Sequence, residues 1–301
     1  MSSRAPAATE WTRRPERGGM AVVRVMAWLS LAIGRGASRV VLRVIALYFF
    51  VTGGSARRHA AAFLERTLGR RPTLREQFGI FFAFASTVHD RIYFLRDRIE
   101  LFDVAVTGRE LFDAEGALLM GGHVGSFEVL RACGRHDKRR VAVAMYQANS
   151  RVVRDVLAAI NPGAVADIVE LGTPQSMIEL AARLDEGALV GILADRTRGD
   201  EPTIDVPFLG ANAALPTGPM RMASALRRRV VFMAGLYRGG NRYEIRFEPL
   251  ADFSGVDAMT RQERDAAIRD AIAEYARRLE RCAREAPDNW FNFHDFWGNA
   301  A

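Results

Sequence analysis

The first strong hydrophobic pattern in the chain runs from Met20 to Val51. Its longest uncharged stretches, residues 25–34 and 44–56, are shorter than the ~20 apolar residues that a membrane-spanning helix needs. No small-residue cleavage site follows a compact apolar core, so a removable signal peptide is not expected. Gly34 and Gly36 predict a break between two helices.

Four arginines interrupt this apolar segment, at positions 24, 35, 39 and 43. On a helical wheel they fall within an arc of roughly 100°. This is typical of a helix lying in the membrane interface, with the arginines toward anionic headgroups and Trp28, Leu29, Tyr48 and Phe49 toward the acyl chains. The alternative is a pair of ordinary helices packed on the domain, with solvated arginines. We predict a membrane-associating helical segment over residues 20–52.

From residue 53 to residue 297, short β-type runs alternate with helical periodicity, and no repeat or linker divides them. This alternation predicts an α/β domain in which helices cover a mixed central sheet. Residues 1–19 are expected to form a disordered basic tail. Gly239 and Gly240 predict a hairpin between the last two strands. The predicted strands are Phe102–Thr107, Ala117–Gly121, Arg140–Tyr146, Ala166–Leu171, Ala188–Ala194, Ile204–Phe208, Val230–Tyr237 and Arg242–Pro249.

Capping signals locate the helices of this domain. Capping boxes at Thr73–Glu76 and Thr260–Glu263 open two long helices, toward Arg98 and Glu285. Thr173 and Pro174 are suited to the N-cap and first position of another helix. Shorter helices are predicted at Ser55–Leu68, Ser126–Cys133, Ser150–Ile160, Pro174–Glu186 and Gly218–Arg228.

Composition places the protein among globular proteins and locates its charge. The 301 residues are 49% hydrophobic and 26% charged, which excludes a mainly disordered or fibrous chain. Two cysteines, Cys133 and Cys282, cannot form a disulfide framework, and no zinc-type spacing is present, so no metal is expected. The net charge is +7, yet residues 1–75 carry fourteen arginines against three acids. The positive excess is therefore N-terminal; a membrane surface is the expected partner, and a nucleic acid is not.

The candidate chemistry centres on the loop that follows the buried strand Ala117–Gly121. Open α/β sheets place their sites at such strand-to-helix turns. Here His123 lies at the carboxyl end of the strand, and Glu128 lies in the first turns of the next helix. A carboxylate at this position can accept one imidazole N–H and fix the tautomer, so the other nitrogen can accept a proton from a hydroxyl. The alternative is a structural histidine in a glycine-rich turn.

Other residues near the loop are candidates for substrate binding. Gly122 and Gly125 would let the backbone approach a ligand closely, and amides near Ser126 at the helix start could hold an oxyanion. Asp195 and Arg196, after a later buried strand, could pair with each other or position an acceptor. Neither a G-x-S-x-G elbow, nor a phosphate-binding P-loop, nor a dinucleotide fingerprint occurs in the sequence.

Five segments in order resemble the lipid A biosynthesis (lauroyl/myristoyl) acyltransferases, members of the lysophospholipid acyltransferase-like superfamily. The resemblance covers roughly residues 20–297. It implies an enzyme at the cytoplasmic face of a Gram-negative inner membrane that moves a fatty acyl group from acyl carrier protein, or from coenzyme A, to a hydroxyl of a lipid. No metal or redox cofactor is implied. The segments are His123–Glu128, Gly191–Arg196, Val206–Gly210, Gly218–Ala223 and Pro287–His294.

Two departures from the family pattern bear on the acceptor. In the family, a Tyr-Arg-Pro stretch is followed by an Asn; here the stretch is Tyr-Gln-Ala, followed by Asn149. The C-terminal His-x-Arg of the family is His-Asp-Phe here, beginning at His294. Arg151 or Arg154 could replace the missing arginine. Asn149 and Arg221 remain candidate substrate-binding residues, although a solvated face is the simpler interpretation of Arg221.

Together with the His123 loop, the resemblance implies a membrane-associated O-acyltransferase. His123 would be the general base and Glu128 its orienting partner, in a ternary complex without a covalent acyl-enzyme, because no nucleophile is evident. A lipid A precursor-like acceptor is expected. The alternatives are an acceptor that is a lysophospholipid, an ornithine lipid or an aryl-polyene lipid. From another class, the alternative is a non-catalytic membrane-binding module.

Overall fold

The computed structural model describes residues 20–112, 116–136, 139–197 and 201–298. The predicted tail at residues 1–19 lies outside this range. Helices α1 to α8 are Met20–Thr52, Gly54–Leu68, Leu74–Leu95, Phe127–His136, Gln147–Ile160, Pro174–Asp185, Gly218–Ala225 and Arg261–Glu285. Strands β1 to β9 are Asp103–Thr107, Ala117–Gly121, Val141–Tyr146, Ile168–Leu171, Leu189–Leu193, Thr203–Phe208, Ala211–Pro216, Arg229–Tyr237 and Arg242–Asp252.

Seven strands form one sheet in the order β1-β9-β8-β2-β5-β3-β4. The pairs from β8 through β4 are parallel, while β9 runs antiparallel to β8 and parallel to β1. The mixed central sheet covered by helices is therefore confirmed. Strands β6 and β7 form a separate antiparallel hairpin. The sequence pattern missed β7, because its alanines, Asn212 and terminal Pro216 have low β propensity.

The central strand β2 explains where the candidate loop lies. All five of its residues are buried. Leu118 and Met120 belong to the hydrophobic core on one face of the sheet, and Ala117 and Leu119 belong to the core on the other. A strand buried on both faces reads as a continuous apolar run, as expected for a parallel strand between helical layers. The loop that follows β2 therefore lies at the carboxyl edge of the sheet, near its centre.

The first helix, α1, is bent at Gly34, whose φ of 79° and ψ of 161° are not helical. This confirms the predicted break. No single helix of the described residues is long and apolar enough to cross a membrane. Two consecutive helices, residues 27–52 and 54–68, are long and apolar enough when taken together, but the chain bends by 93° between them.

Three arginines of α1 contact the domain, which differs from the predicted orientation toward lipid headgroups. The Arg35 guanidinium pairs with both carboxylate oxygens of Asp90 on α3, at 2.8 and 2.7 Å. Arg39 donates a 2.8 Å hydrogen bond to the hydroxyl of Tyr237, and Arg43 lies over the ring of Phe82. The prediction of headgroup-facing arginines is therefore wrong for Arg35 and Arg39, whereas Arg43 remains exposed and the side chain of Arg24 lies outside the described part of the chain. Buried acceptors and aromatic faces on the domain stabilise the charges of Arg35 and Arg39 in place of lipid headgroups.

The opposite face of α1 is apolar and exposed. After the break at Gly34, Val44 is 67% exposed, and large exposed side chains recur on the same side of the helix at Val40 and Tyr48. Before the break, Trp28 and Ile33 are exposed as well. A contiguous apolar surface of this kind marks an interaction site, because isolated apolar residues are the ordinary case on a soluble surface. The apolar side of the predicted segment is thus outward, while its arginines attach it to the domain.

Candidate active site

The loop that carries His123 is held by hydrogen bonds from three other parts of the chain. The Tyr275 hydroxyl and the Ala194 amide both donate to the carbonyl of Gly121, at 2.9 and 2.8 Å. The amide of Phe291 donates to the carbonyl of His123 at 3.0 Å. The strand end, the closing helix and the C-terminal segment therefore fix the backbone on which the imidazole is mounted.

Asp195 is the carboxylate that contacts the imidazole. Its Oδ1 lies 2.7 Å from Nδ1 of His123, and its Oδ2 accepts from the His123 amide at 2.9 Å and from Nε1 of Trp290 at 2.9 Å. The side chain is 1% exposed. Burial alone would raise the pKa of Asp195, but the charge and hydrogen bond of His123 and the donors around it hold that pKa well below its usual range. Asp195 is therefore ionised and accepts only.

This arrangement sets the state of His123. Burial lowers the pKa of His123; the charge of Asp195 opposes this shift, and the charge of Arg196 adds to it. The imidazole is therefore neutral near pH 7. Because Asp195 can only accept, the ring proton is on Nδ1, and Nε2 carries the free lone pair.

Glu128 does not occupy the position predicted for it. Its carboxylate lies 3.5 Å from Nε of Arg91 and 3.4 Å from Nη1 of Arg131, and it is 8% exposed. Nδ1 of His123 is already taken by Asp195. The prediction that Glu128 orients the imidazole is therefore corrected: helix α4 turns this side chain toward two arginines, and the orienting carboxylate comes from the end of β5.

His123 faces two adjoining cavities. The first has a volume of about 370 Å³ and is bordered by α3, by the His123 loop and by the C-terminal segment, including Phe84, Val88 and His294. The second, of about 230 Å³, extends between α4, β3 and α5 and is lined by apolar residues such as Val143, Met145 and Leu157. Both cavities are also lined by Arg91, Phe127, Leu193 and Arg196.

Comparison with known proteins gives a family assignment. The family model described as "Bacterial lipid A biosynthesis acyltransferase" matches residues 13–298. The chain belongs to this family. It is therefore an acyltransferase, and the resemblance to this family inferred from the sequence is confirmed.

Other comparisons add little to this assignment. The crystal structure of the 1-acyl-sn-glycerophosphate (LPA) acyltransferase PlsC from Thermotoga maritima is similar at 13% identity and a TM-score of 0.38, covering 82% of this chain and 99% of that one. Among the curated proteins, no match is found.

In this acyltransferase the glycines of the loop serve packing. A Cβ on Gly125, whose φ is +64°, would lie 1.9 Å from the carbonyl oxygen of Gly235. A Cβ on Gly122 would lie 2.9 Å from the Leu279 side chain and 3.2 Å from Cγ of Asp195. Both glycines border the first cavity, but what they permit is close approach of the loop to β8 and to Asp195.

The predicted oxyanion donors are partly committed elsewhere. The amide of Gly125 donates to the Asn289 carbonyl, and the amide of Ser126 donates to the Gly235 carbonyl, both at 2.8 Å. These two N–H groups are therefore not available to a substrate. Helix α4 begins at Phe127, and the first N–H groups of a helix lack intrahelical acceptors.

The remaining predicted site residues divide between the cavity and the surface. Arg196 lines both cavities, donates to the Phe291 carbonyl at 2.9 Å and has its pKa lowered by burial. His294 lines the first cavity, where burial and the charge of Arg196 lower its pKa to about 4. Arg221 is exposed on α7 and lines neither cavity. Asn149 lies within α5, where its side chain is outside the described part of the chain.

One cavity residue carried no sequence signal. Arg91 lies in the last turns of α3, between Asp90 and Ile92, and it belongs to none of the motifs found in the sequence. Asp195 was predicted only as a candidate that follows a buried strand, and its pairing with His123 depends on the strand register. Gly121 of β2 and Leu193 of β5 are register partners. His123 follows Gly121 by two positions, and Asp195 follows Leu193 by two positions.

Proposed function

We propose that the protein is an O-acyltransferase that moves a fatty acyl group from the thioester of acyl carrier protein or coenzyme A to a hydroxyl of a lipid. The observation that carries the proposal is the contact between Nδ1 of His123 and Asp195, at the junction of two cavities. It supports a neutral imidazole whose Nε2 is available to an acceptor hydroxyl. A lipid A precursor-like acceptor is the proposed class, on the strength of the family.

In the proposed reaction, Nε2 of His123 removes the hydroxyl proton as the acceptor oxygen bonds to the thioester carbon. The carbonyl π electrons move to oxygen and form a tetrahedral oxyanion. The imidazolium that results is stabilised by the Asp195 carboxylate. When the intermediate collapses, the carbon–sulfur bond breaks, the carbonyl reforms, and the leaving thiolate takes the proton from Nε2. His123 is the catalytic residue, and Asp195 is a positioning residue.

Two further features support the acyl and oxyanion positions. The second cavity is lined mainly by apolar side chains, which suits a fatty acyl chain. The first turn of α4, beginning at Phe127, offers amides near His123, and Arg196 adds a half-buried positive charge beside both cavities. A developing oxyanion there would be stabilised by fixed donors that need no reorganisation. No metal, redox cofactor or covalent intermediate is part of the proposal.

We also propose that the protein works at the cytoplasmic face of the inner membrane, attached by α1. The exposed apolar face that includes Val40, Val44 and Tyr48, together with the exposed Trp28 before the break, supports burial in the acyl-chain boundary. The inward contacts of Arg35 and Arg39 support a fixed orientation of this helix on the domain. An acceptor lipid would thus stay in its bilayer during transfer.

The test compares lipid extracts by mass spectrometry from cells with the gene, without it, and with the His123→Ala variant. We expect one lipid class to gain an acyl chain only with the wild-type gene, and the mass of the acylated species identifies the acceptor. The purified variant must also fail to transfer acyl groups to that lipid. Normal acylation by a folded His123→Ala variant would favour the non-catalytic membrane-binding module.

A further inference from the structure

The Glu128 carboxylate has two arginine partners, Arg131 and Arg91. Arg131 is 1% exposed and is fixed by the carbonyl of Ala164 at 3.0 Å and by Asp167 at 2.6 Å. Its Nη1 faces Glu128 at 3.4 Å. Arg131 is therefore a rigid support for the Glu128 carboxylate.

The other partner, Arg91, borders both cavities. Its side chain is 35% exposed, and its contact with Glu128 is made through Nε at 3.5 Å. That Nε is buried and has no hydrogen-bond acceptor among the described residues. An arginine side chain is long and flexible, so a carboxylate beside Nε restricts where its terminal nitrogens can lie. Those terminal nitrogens are the donors that recognise oxyanions in pairs.

We propose that Glu128 is a positioning residue for Arg91, and that Arg91 binds a phosphate group of a substrate in the cavity that contains His123. This rests on the proposed acyltransferase function. Within the loop motif, the carboxylate of Glu128 then serves substrate binding, while Asp195 alone serves the imidazole. A phosphate matches a guanidinium in charge and in paired hydrogen bonding.

Two substrates can bring a phosphate to this place. One source is the headgroup of the acceptor lipid, and the other is the phosphodiester of the pantetheine arm that carries the thioester. Arg91 lines the same cavities as His123, whereas the full length of the arm separates its phosphate from the thioester. The geometry therefore favours the lipid phosphate, and the experiment has an arm for each source.

The first experiment measures binding without turnover, on the full-length protein in detergent. The probes are lysophosphatidic acid against monoacylglycerol, and coenzyme A against pantetheine, each assayed by the shift in melting temperature. We expect the phosphate-bearing lipid to stabilise the wild type more than its phosphate-free match. Glu128→Gln and Arg91→Gln should remove most of that difference, and Glu128→Asp should restore part of it.

The matched control is Glu179→Gln on α6, which breaks a Glu–Arg pair with Arg183 at 2.7 Å outside both cavities. This variant should keep the full preference for the phosphate-bearing lipid. If the variants instead lose the preference for coenzyme A over pantetheine, the Arg91 subsite stands and its phosphate belongs to the carrier arm. Equal shifts with phosphate-bearing and phosphate-free probes in the wild type would overturn the proposal.

The second experiment separates the two carboxylates by kinetics. Glu128→Gln should raise the KM for the phosphate-bearing substrate tenfold or more and leave the acid limb of the pH–rate profile in place. Asp195→Asn should lower kcat and move that limb. If Glu128→Gln moves the acid limb as Asp195→Asn does, with KM unchanged, then Glu128 acts on His123 and the positioning role is wrong. Arg91→Gln carries the test if Glu128→Gln fails to fold, since Arg91 is partly exposed.

Discussion

Nδ1 of His123 lies 2.7 Å from Oδ1 of Asp195, although the two residues are 72 positions apart in the chain. The parallel pairing of β2 with β5 brings them together, because Gly121 is in register with Leu193 and both site residues follow at the carboxyl edge. Asp195 also accepts from Trp290 and from the His123 backbone. The carboxylate is therefore fixed before any substrate binds, which is what a positioning residue requires.

Removal of the imidazole should abolish most transfer. His123→Ala is expected to lower kcat by about 10²–10⁴, since a general base contributes that much and neither cavity offers a second base at the same position. Asp195→Asn should lower kcat by about 10² or more, because its amide can donate to Nδ1 and favour the wrong tautomer. Transfer assays on purified variants, with folding checked by circular dichroism, measure both effects. A folded His123→Ala enzyme at the wild-type rate would contradict the mechanism.

The pH dependence follows from the shifted pKa of His123. Burial holds that pKa below the usual 6.5, and the base must be unprotonated, so activity should rise with pH through a midpoint below 6.5. The charge of Asp195 raises the pKa of His123, so its removal in Asp195→Asn should move the midpoint to still lower pH. Profiles of kcat/KM against pH for both proteins provide the measurement. An acid limb that moves upward in Asp195→Asn would contradict this electrostatic account.

The fold was largely predictable because its strands are apolar runs between clear helix caps. The strand Ala117–Gly121 was placed without error, and the capping boxes at Thr73 and Thr260 are both present. The histidine was found because glycines and a strand end surround it. Its partner was misassigned, because spacing along one loop is local and the pairing with Asp195 depends on strand order. Sequence alone does not give the order in which parallel strands are laid side by side.

The direction of the α1 arginines was unpredictable for a similar reason. A helical wheel shows which residues share a face, but it does not show what that face meets. Here Arg35 meets Asp90, which is fully buried and also accepts from the Tyr243 hydroxyl at 2.8 Å. A buried acid on α3 therefore reverses the expected orientation of α1, with its apolar side outward.

The Arg35–Asp90 pair should stabilise the attachment of α1. Asp90→Asn would leave Arg35 without its counter-charge, so we expect a loss of about 3–5 kcal/mol in the free energy of unfolding. The control Glu186→Gln breaks an exposed pair with Arg140 and should cost less than about 1 kcal/mol. Denaturant titrations measure both changes. Equal effects from the two variants would show that burial adds nothing to the Arg35 contact.

Acid should weaken the same pair. Burial would raise the pKa of Asp90, but the His89 ring 3.5 Å away, the hydrogen bonds and charge of Arg35, and the Tyr243 hydroxyl outweigh it, so the pKa is lowered. A group with a lowered pKa in the folded state contributes stability above its unfolded pKa, about 3.9 for aspartate. That contribution is lost as pH falls through the folded value. The stability difference between wild type and Asp90→Asn should therefore be constant near neutral pH and shrink in strong acid.

The close approach at Gly125 should make this position intolerant of a side chain. Gly125→Ala places a Cβ against the Gly235 carbonyl at a φ of +64°, which would push the His123 loop off β8. The matched control is Gly69→Ala, which has a φ of +67° but no atom within 4 Å and should cost only the backbone strain of roughly 1–2 kcal/mol. The melting temperatures and transfer rates of the two variants are the quantities to compare. A Gly125→Ala enzyme as active as Gly69→Ala would show that the loop can move without loss of function.

Membrane attachment should depend on the outward apolar face of α1 and only weakly on salt. Val44→Glu replaces a 67% exposed valine, and burial of such a side chain is worth about 1.5–3 kcal/mol, so vesicle binding should fall about tenfold or more. Ile178→Glu on α6 makes a similar change at a residue 61% exposed and should leave binding unchanged. Because Arg35 and Arg39 are bound to acceptors on the domain, wild-type binding to neutral and anionic vesicles should differ little, and added salt should release little protein. Co-sedimentation with both vesicle types measures this, and equal losses in the two variants, or full release by salt, would contradict attachment through the apolar face.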